Sequence, residues 1–364
     1  MKQIVALLLP LLIAVSAVAD MPPRTAYIYP PAVTAGTTVE VSMGGFDFTP
    51  DIELLSHHRQ VSLKLTSKLG KFLVAPPPYW FGPKGRSGAF PVPREFKVRV
   101  TVPKNAKPGP AFYQVTNANG VSGILKFQIT AKPDVLEQRD RDKPQVVSVP
   151  ATISGRVFKI AEVDKYLFKA TADGLVTANL FARRIGSNFN GYLTVVDDTG
   201  KMLVDSVDTR GVDTAATFAV KAGRSYTVGV ADVDFRGNRT FVYRLRLTPG
   251  PRILTTVPTV LKRGTTQRVK VIGYGVKTGA AKVEVATASI VIPKAATTNF
   301  ATMVNTPGGK STAKITTGSR SDLTSNGKAS QALSIPSAIS GLLGKSRSTN
   351  YTIQVKKGEH LQLD

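Results

Sequence analysis

The sequence predicts an all-β chain of tandem β-sandwich modules. Apolar and polar residues alternate with period two in many segments, turn chemistry recurs between them at short intervals, and only brief windows such as Ile339 to Leu343 fit a helix. Alternation turns one face of a strand to a core and the other to water. Short alternating strands separated by Gly, Pro, Asn and Asp clusters are the pattern of sandwiches and barrels.

Met1-Lys2, the apolar run Ile4 to Val15 and the small-residue site Ala17-Val18-Ala19 read as a secretory signal peptide over residues 1–19. The run is shorter than the about 20 apolar residues that a membrane-spanning helix needs. Cleavage is expected after Ala19, and nothing later has the length or purity of a span. The first module then reads as residues 24–131. Its strands include Thr37 to Met43, Gln60 to Thr66 and Glu95 to Val102, with turns at Pro108-Gly109-Pro110 and Asn119-Gly120. Within it, Pro76 to Pro83 encloses Tyr79, Trp80 and Phe81. Proline stiffens that loop, so the aromatics could plug the open end of the sandwich or offer a stacking platform for a sugar or peptide.

The second module reads as residues 132–249, with turns at Asp198-Thr199-Gly200 and Lys221-Ala222-Gly223. Asp197-Asp198 resembles a catalytic carboxylate pair but fits a hairpin turn. In Tyr243-Arg244-Leu245-Arg246-Leu247 the alternation puts both arginines on one polar face. With Arg183, Arg184, Arg236 and Arg239 they form a basic excess that could hold an anionic polysaccharide through charge-assisted hydrogen bonds. Nucleic acid fits less well, because no interleaved aromatics accompany the arginines.

Internal repetition organises the remainder. Pro30, Gly36-Thr37-Thr38, Val41, Met43, Gly45 and Phe46 return at a constant offset as Pro258, Gly264-Thr265-Thr266, Val269, Val271, Gly273 and Tyr274. Pro150 to Gly155 returns as Pro336 to Gly341, and Tyr166 as Tyr351. The order is therefore A-B-A-B, as in modular arrays. The second A copy is expected over residues 250–330 as a degenerate module, with Thr306 to Gly327 as a flexible linker. Residues 331–364 are expected to hold only the opening strands of the second B copy.

Ile28-Tyr29-Pro30-Pro31, the Gly36 turn and the closing Val102-Pro103 to Ser122 stretch make module A similar to the immunoglobulin-like TIG/IPT module of secreted bacterial proteins. Module B resembles the bacterial pre-peptidase C-terminal (PPC) domain. The resemblance runs through Ile153-Ser154-Gly155-Arg156, Val163 to Phe168, Leu180 to Ser187, Leu193 to Gly200 and Tyr243-Arg244-Leu245. It implies a jelly-roll-like sandwich used for binding, secretion or spacing, without bond cleavage. Calcium-binding members open on an acidic segment, where this chain has Glu137-Gln138-Arg139-Asp140-Arg141-Asp142. Two arginines oppose a site that wants six to eight oxygens, so the segment reads as a linker, with Glu137, Asp140, Asp142, Asp232 and Asp234 as the alternative ligand set.

Composition bounds the function. The chain has no cysteine, which removes thiol catalysis and thiolate metal sites. Its 48 Lys and Arg against 24 Asp and Glu give a formal charge of +24, a field that attracts polyanions. The histidines are His57, His58 and His360, and no nucleophile elbow, zinc-protease motif or phosphate loop occurs. No catalytic residue, metal or cofactor is expected. The sequence reads as a non-catalytic secreted binding or spacer protein of the cell envelope or matrix. The alternative is an accessory region of an exported hydrolase whose catalytic domain lies elsewhere.

Overall fold

The computed structural model describes residues 21–71, 73–75, 90–138, 143–326, 330–343 and 348–363, with side chains left aside at 73–75 and 90–92. The chain is all-β, with a 3-10 turn at Arg183–Ile185, and it divides into two compact units at Pro133 and Asp134.

In the first unit the strands are β1 (Arg24–Tyr29), β2 (Ala32–Thr34), β3 (Thr38–Phe46), β4 (Glu53–Ser56), β5 (Ser62–Leu65) and β6 (Leu73–Ala75). They continue as β7 (Phe90–Val92), β8 (Arg94–Thr101), β9 (Gly109–Asn117), β10 (Gly120–Val121) and β11 (Leu125–Thr130). One sheet has the order β1-β3-β8-β5, and a second runs β10-β9-β11-β2 with β4 also on β9. Alternation in β8 aims Phe96, Val98 and Val100 at Val41, Met43, Tyr113 and Phe127 between the sheets.

The second unit opens with β12 (Val135–Leu136), β13 (Gln145–Val146), β14 (Ala151–Arg156), β15 (Asp164–Lys169) and β16 (Gly174–Phe181). There follow β17 (Gly191–Asp197), β18 (Met202–Ser206), β19 (Ala215–Val220), β20 (Ser225–Asp232) and β21 (Val242–Pro249). Two five-stranded sheets result, β12-β14-β21-β16-β19 and β13-β15-β20-β17-β18. Their inner rows bury Ile153, Phe168, Leu180, Leu193, Val228 and Leu245. A chain of hydroxyls crosses this core: Tyr166 Oη lies 2.5 Å from Tyr243 Oη, which donates to Asp164 Oδ2 at 2.6 Å. Gly155, opposite Tyr243 in the ladder, makes room for the ring, since a Cβ there would stand 2.4 Å from it.

The remaining strands are β22 (Arg252–Val257), β23 (Val260–Lys262), β24 (Thr265–Tyr274), β25 (Val283–Ile292), β26 (Asn299–Thr306) and β27 (Gly309–Gly318). Last come β28 (Leu323–Thr324), β29 (Ser330–Leu333), β30 (Ile339–Ser340) and β31 (Asn350–Ile353). Sheets β22-β24-β25 and β23-β27-β26 enclose Val269, Val271, Ile290, Val304 and Ile315. The repeat extends to register. Arg24 faces Phe46 as Arg252 faces Tyr274, with a bulge at the equivalent place, and β23 lies parallel to β27 as β2 does to β11. Likewise β28 and β30 repeat the parallel pairing of β12 and β14, and β29 and β31 that of β13 and β15.

Thr306 to Gly327 is not a linker throughout, because Gly309–Gly318 is a ten-residue strand in register with β26. Its inward row is Ala313, Ile315 and Thr317, and small and hydroxylated residues on that row conceal the alternation. Ile339, on which a helix was conceivable, opens β30.

Candidate functional site

The outer face of β21 and β16 carries the basic residues. Arg244 and Arg246 alternate with the core residues Tyr243, Leu245 and Leu247, so both point away from the core as the alternation requires. Their surroundings differ. Arg244 is 5% exposed and grips Asp134 with two bonds, Nε to Oδ2 at 2.6 Å and Nη2 to Oδ1 at 2.8 Å. Asp134 also accepts the Ser154 hydroxyl at 2.7 Å. Arg244 is thus a buried structural residue and not the free cation that the alternation implies.

Arg246 is exposed and, among the described residues, has no carboxylate in ion-pair contact. Its guanidinium lies over the Phe181 ring, 5.2 Å from the centroid. Arg184 lies over the same ring at 4.3 Å. The 3-10 turn holding Arg184 is fixed by the buried Asp213, which accepts the backbone N–H groups of Arg183 at 2.8 Å and Arg184 at 3.2 Å and the Arg184 Nε at 2.7 Å. Arg184 Nη2 also donates to Asn179 Oδ1 and the Leu180 carbonyl. Asn179 faces Arg246 across the ladder, which brings the turn and the strand together. Arg183 is exposed at the edge of this turn.

Two further arginines complete the group. Arg252, at the start of β22, donates from Nη1 to the Ala215 carbonyl at 3.3 Å and lies 5.7 Å from the Tyr274 ring centroid. Its Nε is buried without a hydrogen-bond partner among the described residues. Arg210 sits in the loop before β19. Burial and then the Arg184 charge hold Arg210 below the usual arginine range. Burial lowers Arg252 in the same way, with Arg210 and Arg184 adding to it. For Arg246 the causes are loss of water and then Arg244, opposed by Asp134 and reinforced by Arg210 and Arg184. Mutually repelling guanidiniums gathered with few carboxylates make a site that gains from a bound anion.

Arg236 belongs elsewhere. Its Nε and Nη2 contact Asp232 Oδ1 and Oδ2 at 2.9 and 3.1 Å, and it reaches Asp234 at 3.3 Å. Asp232 also accepts the backbone N–H groups of Asn190 and Asp234. A guanidinium therefore supplies the positive charge in the loop whose acids were the alternative calcium ligands. Glu137 accepts the Arg156 backbone N–H, while Arg139, Asp140, Arg141 and Asp142 lie outside the described residues. Among the described residues no three His, Asp or Glu side chains gather so as to hold a metal ion.

Asp197 and Asp198 form a turn clamp. Asp197 Oδ1 accepts the Thr199 and Lys201 N–H groups at 2.9 and 3.1 Å, and Asp198 pairs with Arg224. His57 Nε2 is 2.8 Å from Gln114 Oε1 at the end of β4. Tyr79, Trp80 and Phe81 lie outside the described residues. Sequence reasoning missed Arg210 and Arg252, which stand alone in their local sequence and join the group only through the fold.

No protein-family model matches the chain, and no curated protein matches it. Among solved structures, the pre-peptidase C-terminal domain of a Bacillus anthracis collagenase is 15% identical, with 33% of this chain and 100% of that one covered and a TM-score of 0.25. The secreted serine protease VesC of Vibrio cholerae is 9% identical over 60% of this chain and 47% of that one, at 0.22. A Bacteroides ovatus protein, SGBP-B of a mixed-linkage glucan utilization locus in complex with a mixed-linkage heptasaccharide, is 9% identical over 58% and 75%, at 0.19. Likeness at these scores carries no argument about ligands, and the all-β fold stands on the chain's own strands. Among the described residues no helix is long and apolar enough to cross a membrane.

Proposed function

We propose that the chain is a non-catalytic secreted binding or spacer protein of the cell envelope or extracellular matrix, and that the arginine face of its PPC-like module holds an anionic polysaccharide. The observation that carries this reading is the grouping of Arg184, Arg210, Arg246 and Arg252 around Phe181 and the end of β19, with Arg246 exposed and no carboxylate in ion-pair contact among the described residues. A polymer bearing repeated carboxylates or sulfates fits an exposed face of this kind, where several charges are met at once. A nucleic acid fits it less well. Single-stranded bases bind by stacking on open aromatic faces, and the Phe181 ring already carries two guanidiniums.

A guanidinium carries its N–H donors in a fixed fork and stays charged in proteins, so an anion finds donors along this face. Calorimetric titration of the chain with heparin, dextran and single-stranded DNA tests the reading. Binding of heparin that Arg246→Ser weakens, with no heat from dextran and weaker heat from DNA, supports it. Equal binding of dextran and heparin, or heparin binding that Arg246→Ser leaves unchanged, contradicts it.

A further inference from the structure

The two immunoglobulin-like modules differ at one edge. In the first, β8 is flanked by β3 on one side and by β5 on the other, Leu63 facing Val100 and Leu65 facing Val98. In the second, β25 takes the place of β8 beside β24, and no strand takes the place of β5 among the described residues. The chain passes from the end of β24 at Tyr274 to Val283 without an intervening strand, whereas β3 and β8 are separated by β4 to β7. A ten-residue strand is left with one free edge.

Free edges of this length are normally blunted by lysine, proline, a bulge or an inward charge. The exposed row of β25 is Val283, Val285, Thr287, Ser289 and Val291, without a charged residue or proline. Its three valines are 52%, 43% and 64% exposed. Glu284 is the one inward charge on the strand, and the Lys277 and Thr278 N–H groups and the Thr278 hydroxyl already bind its carboxylate within the module. No bulge interrupts the β24–β25 register. In a chain with a formal charge of +24, this neutral row lets a second copy approach without opposing charges along the edge.

We infer that β25 is a self-association edge at which two copies of the chain pair antiparallel about a two-fold axis through Thr287. That register sets Val283 against Val291 of the second copy, Val285 against Ser289, and Thr287 against its own counterpart. β-branched cross-strand pairs of this kind stabilise a sheet. The interface is isologous, as two-fold dimers require, and it joins two three-stranded sheets into one of six. Lys270 faces Thr287 one strand in from the edge. The two Lys270 side chains are then separated by three strand spacings of about 4.8 Å, beyond the screening length of about 8 Å at physiological ionic strength.

Light scattering coupled to size exclusion, over a dilution series of the full chain, gives the first result. The expected mass is that of a dimer, reduced to a monomer by Thr287→Lys, with Thr316→Lys on β27 retaining the dimer. The chain has no cysteine, so Thr287→Cys supplies an independent test. Directly opposed Cβ atoms stand about 4.5–5.5 Å apart, close to disulfide reach, and mild oxidation should give a covalent dimer that Thr316→Cys does not give. A wild-type chain that stays monomeric throughout the series overturns the inference. So does a dimer that survives Thr287→Lys, or a Thr287→Cys chain that cross-links no faster than Thr316→Cys.

Discussion

Arg244 and Arg246 stand two residues apart on the outward row of β21, yet Arg244 is clamped by Asp134 while Arg246 lies over Phe181 with no carboxylate in ion-pair contact among the described residues. Their loss should therefore be read by different measurements. Breaking one side of a buried ion pair costs about 3–5 kcal/mol, so Arg244→Ser should lower the denaturant midpoint markedly. Arg246→Ser should stay within about 0.5 kcal/mol of the parent, as surface changes do. Urea unfolding of the two variants checks this, and equal destabilisation would mean that Arg246 is structural as well.

The Tyr243 hydroxyl links Asp164 to Tyr166 inside the sandwich core. Tyr243→Phe keeps the ring over Gly155 and removes that donor. Leaving a buried polar group short of a bond costs about 1–3 kcal/mol, and thermal unfolding should show a loss of that order without a change in the far-ultraviolet spectrum. Burial first, and then the neighbouring Tyr166 and Asp164, push the Tyr243 hydroxyl well above its usual range. It should remain protonated as pH rises through the usual tyrosine value of about 10.

Acid should loosen the β17–β18 turn. The Thr199 hydroxyl first, with N–H bonds and Arg224, holds Asp197 below its usual value of 3.8, and Arg224 first does the same for Asp198. For depressed carboxyls the stabilisation is complete above 3.8 and is lost as pH falls through the lowered folded-state values. The melting temperature should fall across that window in the parent, and Asp197→Asn with Asp198→Asn should flatten the fall. A parent and variant with identical profiles would contradict the assignment.

Calcium should leave the melting temperature unchanged, because Arg236 already neutralises Asp232 and Asp234. A ligand that binds only the folded chain raises stability by mass action. A shift of several degrees with millimolar calcium, reversed by chelator, would therefore reveal a site that the Arg236 contacts do not explain.

Much of the fold was legible because β3, β5 and β8 alternate cleanly, with Val, Met, Phe and Leu on their inward rows. β27 was not legible, because Ala313 and Thr317 share its inward row with Ile315 and look like linker residues. The site was legible in half. Arg184 and Arg246 could be read from local sequence. Arg252 joins them through the Ala215 carbonyl, and the distant Asp134 withdraws Arg244 from the group. Long-range pairings of that kind leave no periodic trace in sequence.

Whether charge on the arginine face holds an anionic polymer is tested most directly by heparin affinity measured over a range of salt concentrations for the parent and for Arg246→Ser combined with Arg252→Ser. Cation contacts released by salt set the slope of log affinity against log salt, and screening weakens every exposed contact. The parent should show a steep slope, and a double variant that retains the parent fold a shallower one with weaker binding at low salt. A parent that binds with no salt dependence, or a folded double variant with the parent's slope and affinity, would contradict it.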